Sequence, residues 1–275
     1  MAITAQDVNK LRQMTGMGMM DCKKALQEAE GDFDKAIEIL RKKGEKISLK
    51  RADNETKEGV VFIYNTGTEA AAFAFSCETE PVAKNTEFRG LGEAILEAVK
   101  ANKPKTKEEV ENLTLASGQT VKEAITELMG KIGEKLTISD YVFYTGEQIV
   151  EYLHSNEKVG VLVVFEGVNG ADLSETGKDI AMQIAAMKPI AIDKDGVDPA
   201  IVEKELEVAR EQVRQEGKPE ELVDKIAQGK LNKFFQEHTL LNQKFVKDDK
   251  KTVAQVLKEA APNAKVVAFK RLAIA

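Results

Sequence analysis

Two histidines and two cysteines are all the imidazole and thiol groups the sequence holds, and their spacing argues against metal binding and nucleophilic chemistry through them. His154 and His238 stand far apart, and neither begins a histidine metal motif or a Ser-His-Asp arrangement. Cys22 and Cys77 are too few for a disulfide framework or a zinc site. Gly16-Met17-Gly18 suggests a phosphate loop, but Gly-x-x-x-x-Gly-Lys-Ser/Thr is absent and no strand precedes it. No clustered acid, base or nucleophile set is visible. The expectation is a chain without covalent chemistry, cofactor or metal, so that contact with a partner is what its residues can supply.

Two stretches could make such contact. The first is Cys77-Glu78-Thr79-Glu80-Pro81-Val82. Phe73, Phe75 and Cys77 share one face of a strand, and Ala72, Ala74 and Ser76 share the other. Pro81 cannot extend the ladder, so the strand stops near Thr79, a candidate N-cap, and Pro81 enters the first turn of a helix. The outcome is a short stiff corner presenting Glu78, Thr79, Glu80 and Pro81. It is either an ordinary strand-to-helix connection or a wedge for a partner. The second stretch holds Met17, Met19 and Met20 beside two glycines. These methionines either fill gaps in a small bundle or form an adaptable apolar patch for a partner helix.

Composition narrows the partner. The 275 residues imply more than one compact unit, and 43% apolar content supports real cores. With 5% aromatic residues, no Trp and a net charge of -6, a phosphate backbone or stacked bases are poor ligands, so direct nucleic-acid binding is not expected. No apolar run is long enough to span a bilayer and no signal-like start is present, which points to a cytoplasmic chain without membrane attachment.

The elements that position these stretches follow from periodicity. Residues 4–45 read as a three-helix module: Thr4 caps the first helix, Asp21 the second and Asp32 the third, with Phe33, Ile37 and Leu40 on a buried face. The charged residues 41–46 and 50–57 read as a helix end and a linker. Strands are expected at 60–64 and 69–77 around Asn65-Thr66-Gly67, then helices at 82–100 and 121–136. A hairpin–helix pattern returns at 149–153, 159–165 and 178–187, an offset of roughly 89 residues that suggests a duplicated α+β subdomain. A further strand at 141–144 is expected ahead of it. Residues 198–238 read as an antiparallel helical hairpin with about two heptads of coiled-coil seam. A short helix at 252–260 and a strand at 266–274 close the second sheet.

Residues 11–26, Leu-Arg-Gln-Met-Thr-Gly-Met-Gly-Met-Met-Asp-Cys-Lys-Lys-Ala-Leu, closely resemble the N-terminal signature of the bacterial elongation factor Ts family. The resemblance extends over essentially the whole layout. It implies an α+β fold with a ubiquitin-associated-like helical module and linker (1–53), a first core subdomain (54–140) and a second (141–275) carrying the inserted hairpin 198–238. It also implies a translation elongation factor that is the guanine-nucleotide exchange factor for elongation factor Tu. Such a factor binds the GDP-bound and nucleotide-free GTPase and loosens its Mg²⁺ and phosphate contacts. Carried onto this sequence, the resemblance makes Leu11, Met19 and Met20 contacts to a partner helix. It makes Thr79, Glu80, Pro81 and Val82 the element that dislodges the partner's Mg²⁺. The family pattern there is Thr-Asp-Phe-Val, so Glu80 keeps the acid and Pro81 replaces the aromatic ring. Gln183 stands where the family carries a histidine, and is counted among the partner-binding residues. The helical hairpin is expected either to self-associate or contact the partner, or to serve as a stabilising appendage.

Overall fold

The computed structural model describes residues 3–274. Its first helices form where caps and apolar spacing agree. Helix α1 (Ala5–Thr15) starts on a Thr4–Asp7 capping box, and Gly16, at φ 64°, ends it in the left-handed conformation that glycine adopts without strain. Helix α2 (Met19–Glu28) begins directly after Gly18, so Asp21 lies in its first turn instead of capping it. The Asp21 carboxylate pairs with Lys43 at 2.5 Å. Helix α3 (Phe33–Lys50) is capped by Asp32, as its position suggests. Val8, Leu11, Met17, Cys22, Leu26 and Leu40 form the shared core, with Phe33 and Ile37 packed at its edge.

The charged run 41–46 lies within α3, which continues a turn beyond the end expected near residue 45, and the connection follows it where the charged run 50–57 suggests. Lysine and arginine are good helix formers, and here they make the solvated face of α3, which runs on to Lys50. The second half of α3 packs at Gly44 against a helix remote in sequence, α7 (Val121–Ile132), and the connection runs from the end of α3 to Glu58.

Strands β1 (Glu58–Asn65) and β2 (Glu69–Cys77) form the expected hairpin. A short helix α4 (Glu80–Ala83) follows, and Asn85 then caps a separate helix α5 (Thr86–Asn102), so the single helix expected at 82–100 is two. Helix α6 (Lys107–Glu111) was not signalled by periodicity, whereas α7 (Val121–Ile132) was. Strand β3 (Thr137–Thr145) pairs antiparallel with β2 and completes a sheet of order β1-β2-β3. The expected division at 140/141 therefore cuts through a strand of the first sheet.

Strands β4 (Gln148–Leu153) and β5 (Val159–Glu166) make a second hairpin, followed by helix α8 (Ser174–Met187). Helices α9 (Pro199–Gln215) and α10 (Glu220–His238) form the antiparallel hairpin, with Ala209, Val213, Val223, Ala227 and Leu231 buried along its seam. A small ribbon of β6 (Lys244–Phe245) and β7 (Asp248–Thr252), helix α11 (Val253–Ala260) and strand β8 (Lys265–Ala273) follow. Strand β8 returns beside β5, giving the order β4-β5-β8.

Each sheet has helices on one face and the other sheet on the opposite face. Along β2, Phe73, Phe75 and Cys77 point into a core with Phe88, Ile95 and Val99 of α5. The alternate residues Ala70, Ala72 and Ala74 meet Leu162, Val164 and Ile149 of the second sheet. Small residues allow this close approach: a Cβ on Gly160 would lie 2.6 Å from Val61 Cγ1. The turn between β4 and β5 reaches back to the first sheet, where Val61 N–H donates to Glu157 O at 2.8 Å and Lys158 pairs with Glu58 at 2.6 Å.

Candidate partner-docking corner

The corner is mounted on a stiff base. Phe75 stacks on Phe88 with ring centroids 4.3 Å apart, and the fully buried Cys77 follows on the same face. Burial pushes the Cys77 thiol up to about 12, with Glu134 adding to the effect, so this cysteine stays a thiol packed as a small apolar group. Val82 and Ala83 are buried beneath the turn, while Thr79, Glu80 and Pro81 are exposed. Thr79 has the extended backbone of an N-cap, but its hydroxyl does not cap α4. It donates to Glu134 Oε1 at 2.7 Å, and its N–H donates to Glu134 Oε2 at 3.1 Å. Glu80 pairs with Lys84 at 2.7 Å on the outer face of α4, which holds its carboxyl below the usual range.

Glu78 is not presented outward, contrary to expectation. Arg51 Nη1 donates to both its oxygens at 2.9 and 2.8 Å, Asn54 Nδ2 donates at 2.9 Å and the Lys135 N–H donates at 2.6 Å. Burial by itself would raise the Glu78 pKa. The Lys135, Asn54 and Arg51 donors outweigh it and leave the carboxyl below its ordinary value. Lys135 Nζ turns the other way, to the carbonyls of Ala52 and, at 2.8 Å, Asn54. The corner is thus tied to the end of α3 on one side and to the α7–β3 loop on the other. None of Arg51, Asn54, Glu134 and Lys135 was singled out from the sequence. Their partners lie 24 to 57 residues away, and no local spacing marks them.

The methionines divide between the two readings. Met17 is 3% exposed and fills the module core, whereas Met19 is 52% and Met20 64% exposed. With Met14, also exposed, they give the module solvent-facing thioether side chains able to adapt to a partner's apolar surface. Leu11 has no exposed surface and is a core residue, so in this conformation it offers no contact of its own and instead shapes the module. Gln183 is also fully buried. Its Nε2 donates to Gln243 Oε1 at 3.1 Å and Lys244 O at 2.9 Å, and its Oε1 accepts from Val246 N–H at 2.8 Å. An amide with donors and an acceptor can satisfy that set at once. Its place is therefore a tie between α8 and the segment leaving α10. Thr79, Glu80, Pro81, Met19 and Met20 are the exposed members of the expected set, and Val82, Leu11 and Gln183 are the internal ones.

The module and the corner belong to one packed assembly. Helix α3 crosses α7 closely: a Cβ on Gly44 would lie 2.6 Å from Thr126 O, and one on Gly130 would lie 3.2 Å from Gly44 Cα. Arg41 bonds Glu123 at 2.5 Å beside that crossing. Among the described residues no group of three His, Cys, Asp or Glu side chains is disposed to hold a metal ion. Nor is any helix among them long and apolar enough to cross a membrane.

Comparison with known proteins agrees with the signature at residues 11–26. A family model described as elongation factor TS matches residues 78–275, beginning at the corner itself. Elongation factor Ts of Cytophaga hutchinsonii is 55% identical over 274 residues, covering 99% of both chains. The protein of that name from Amoebophilus asiaticus is 52% identical over 276 residues, covering 100% of this chain and 99% of its own. That from Aquifex aeolicus is 43% identical over 282 residues, covering 98% and 97%.

Proposed function

This chain belongs to the elongation factor Ts family, and from that premise we propose that it acts in translation as the guanine-nucleotide exchange factor for elongation factor Tu. It works in the cytoplasm, without covalent chemistry or a cofactor of its own. The observation that carries the reading is the exposed, doubly tethered corner of Thr79, Glu80 and Pro81 over a buried Val82. An exchange factor must bind the nucleotide-free GTPase more tightly than the GDP-bound one, and by linkage GDP weakens its binding by the same factor. A hundredfold ratio corresponds to about 2.7 kcal/mol. Contacts equal in both states give grip without exchange, and Met19 and Met20, flexible and adaptable, suit that part. A stiff corner fits one arrangement of a partner and clashes with another. The corner therefore supplies the differential part, pressing on the partner's phosphate-side elements and loosening Mg²⁺ and then GDP. Because Pro81 carries no aromatic ring and Val82 is buried beneath the turn, the backbone of the corner with exposed Thr79, Glu80 and Pro81 does the displacing, and Val82 braces it from below.

In the same reading the first module is ubiquitin-associated-like and the two sheet units are related copies. The hairpin of α9 and α10 serves self-association or a further contact with the GTPase, supported by exposed Ile201, Val208 and Leu222. Stopped-flow release of fluorescent GDP from purified elongation factor Tu, with and without this chain, tests the proposal. Release accelerated in proportion to added chain supports it. An unchanged rate with chain in excess ends it, and binding without acceleration would make the chain an adaptor.

A further inference from the structure

Two carboxylates hold the corner from opposite sides, and neither belongs to its exposed surface. Glu134 takes both the N–H and the hydroxyl of Thr79. Glu78 gathers Arg51, Asn54 and the Lys135 N–H. Helix α4 is only four residues long and has no side-chain cap, so it has little stability of its own. If Glu134 released the Thr79 hydroxyl, that hydroxyl could turn inward and accept from the Val82 N–H, the third position of α4, as threonine does at ordinary N-caps, Pro81 having no N–H to give. The corner would then have two settings in place of one.

From this geometry we propose that Glu134 and Glu78 are positioning residues for exchange: Glu134 fixes the corner in its displacing setting, and Glu78, through Arg51, fixes it relative to the module bearing Met19 and Met20. The proposal rests on the exchange reading above. Its physical content is that differential contact depends on placement, since a misplacement of about 1 Å can cost roughly a hundredfold in rate. A charge-assisted pair of hydrogen bonds is strong enough to decide between two settings of a four-residue helix.

The test uses the full chain with Glu134→Ala, Glu134→Gln and Arg51→Ala, measuring GDP release from elongation factor Tu across a range of chain concentrations. Thr79 is exposed, so losing its tether leaves the cores intact, and thermal melting checks this. In Glu134→Ala the maximal release rate falls about tenfold while the half-saturating concentration moves less than about twofold. Glu134→Gln keeps one acceptor for the Thr79 hydroxyl and recovers part of the rate. Arg51→Ala lowers the maximal rate in the same way. Amide hydrogen exchange in residues 79–84 quickens in Glu134→Ala without any partner present. A chain that was merely destabilised would lose melting temperature and active fraction, with no rescue by glutamine. An unaltered chain that accelerates release, with Glu134→Ala and Arg51→Ala matching its maximal rate, overturns the positioning role alone. An unaltered chain that fails to accelerate release overturns the exchange reading and this inference together.

Discussion

Replacing Gly44 by alanine sets a local preference against a tertiary contact, and the two predict opposite signs. Gly44 lies within α3, where alanine is favoured over glycine by about 1 kcal/mol. On local grounds Gly44→Ala stabilises. In the folded chain, however, the new Cβ would sit 2.6 Å from Thr126 O, against 3.4 Å for ordinary contact, so the helices must part by 3.4 − 2.6 = 0.8 Å. The opposing atom is backbone, and no side chain can rotate out of the way. Gly130 faces the same crossing, where its own missing Cβ lies 3.2 Å from Gly44 Cα. Overpacking of this kind costs about 1–3 kcal/mol, and a rigid opposing backbone argues for the upper end. A gap of 0.5–1 Å also forfeits roughly a quarter to a half of each affected dispersion contact. Subtracting the propensity gain leaves a net destabilisation of about 2 kcal/mol, or some 4 °C in melting temperature. The loss is concentrated where the module docks, so amide exchange should quicken in residues 40–54 before it does in β2. The half-saturating concentration for GDP release should rise, because Met19 and Met20 are then less firmly held relative to the corner. Circular dichroism melting and hydrogen–deuterium exchange read both effects. A higher melting temperature in Gly44→Ala with unchanged protection at 40–54 would refute the reasoning.

Three other outcomes bear on the corner and the module. Pro81→Ala should slow GDP release only modestly and Pro81→Phe should be tolerated, as measured by stopped flow. A collapse of exchange in Pro81→Ala with binding intact would make the proline ring itself the wedge. Met19→Ala with Met20→Ala should raise the half-saturating concentration by about tenfold and leave the maximal rate unchanged, because uniform contacts give grip alone. A fallen maximal rate would contradict that assignment. Finally, the folded-state pKa of Glu78 is lowered, so its contribution to stability is fully present above the unfolded value of about 4.3 and is lost as pH falls through the lower folded value. Melting measured from pH 7 downward should therefore show a smaller loss on acidification in Glu78→Gln than in the unaltered chain. Parallel pH profiles would remove Glu78 from the account.

Much of the architecture is written locally. Thr4, Asp32 and Thr120 cap their helices through hydrogen bonds spanning three residues, and Asn65-Thr66-Gly67 turns its hairpin within a few more. The corner too was legible, because Pro81 stops a strand whatever surrounds it. The signature at residues 11–26 was enough to suggest the family. Other features depended on what packs against what. The charged run 41–46 reads as a helix end, but that α3 continues to Lys50 and crosses α7 at Gly44 and Gly130 is not visible in its own residues. Strand β3 joined the first sheet because β2 offered it an edge, which nothing within residues 137–145 specifies.

Local pattern fixes which residues can be buried or capped within a turn or two, since helix and strand periods act over a few residues. It does not fix which equally apolar or equally polar side chains face a neighbour. Met17 and Met19 are two residues apart in sequence, yet the module core encloses one and leaves the other in solvent. Leu11 and Gln183, marked as contacts by resemblance, are enclosed by packing that their neighbours in sequence do not reveal. Glu78 and Glu134 became a clamp only when chain segments 27 and 55 residues removed from their partners came together. Sequence thus determined the elements and the presence of the corner. Tertiary structure decided how firmly the corner is held, because long-range hydrogen bonds exist only between surfaces that folding has already joined.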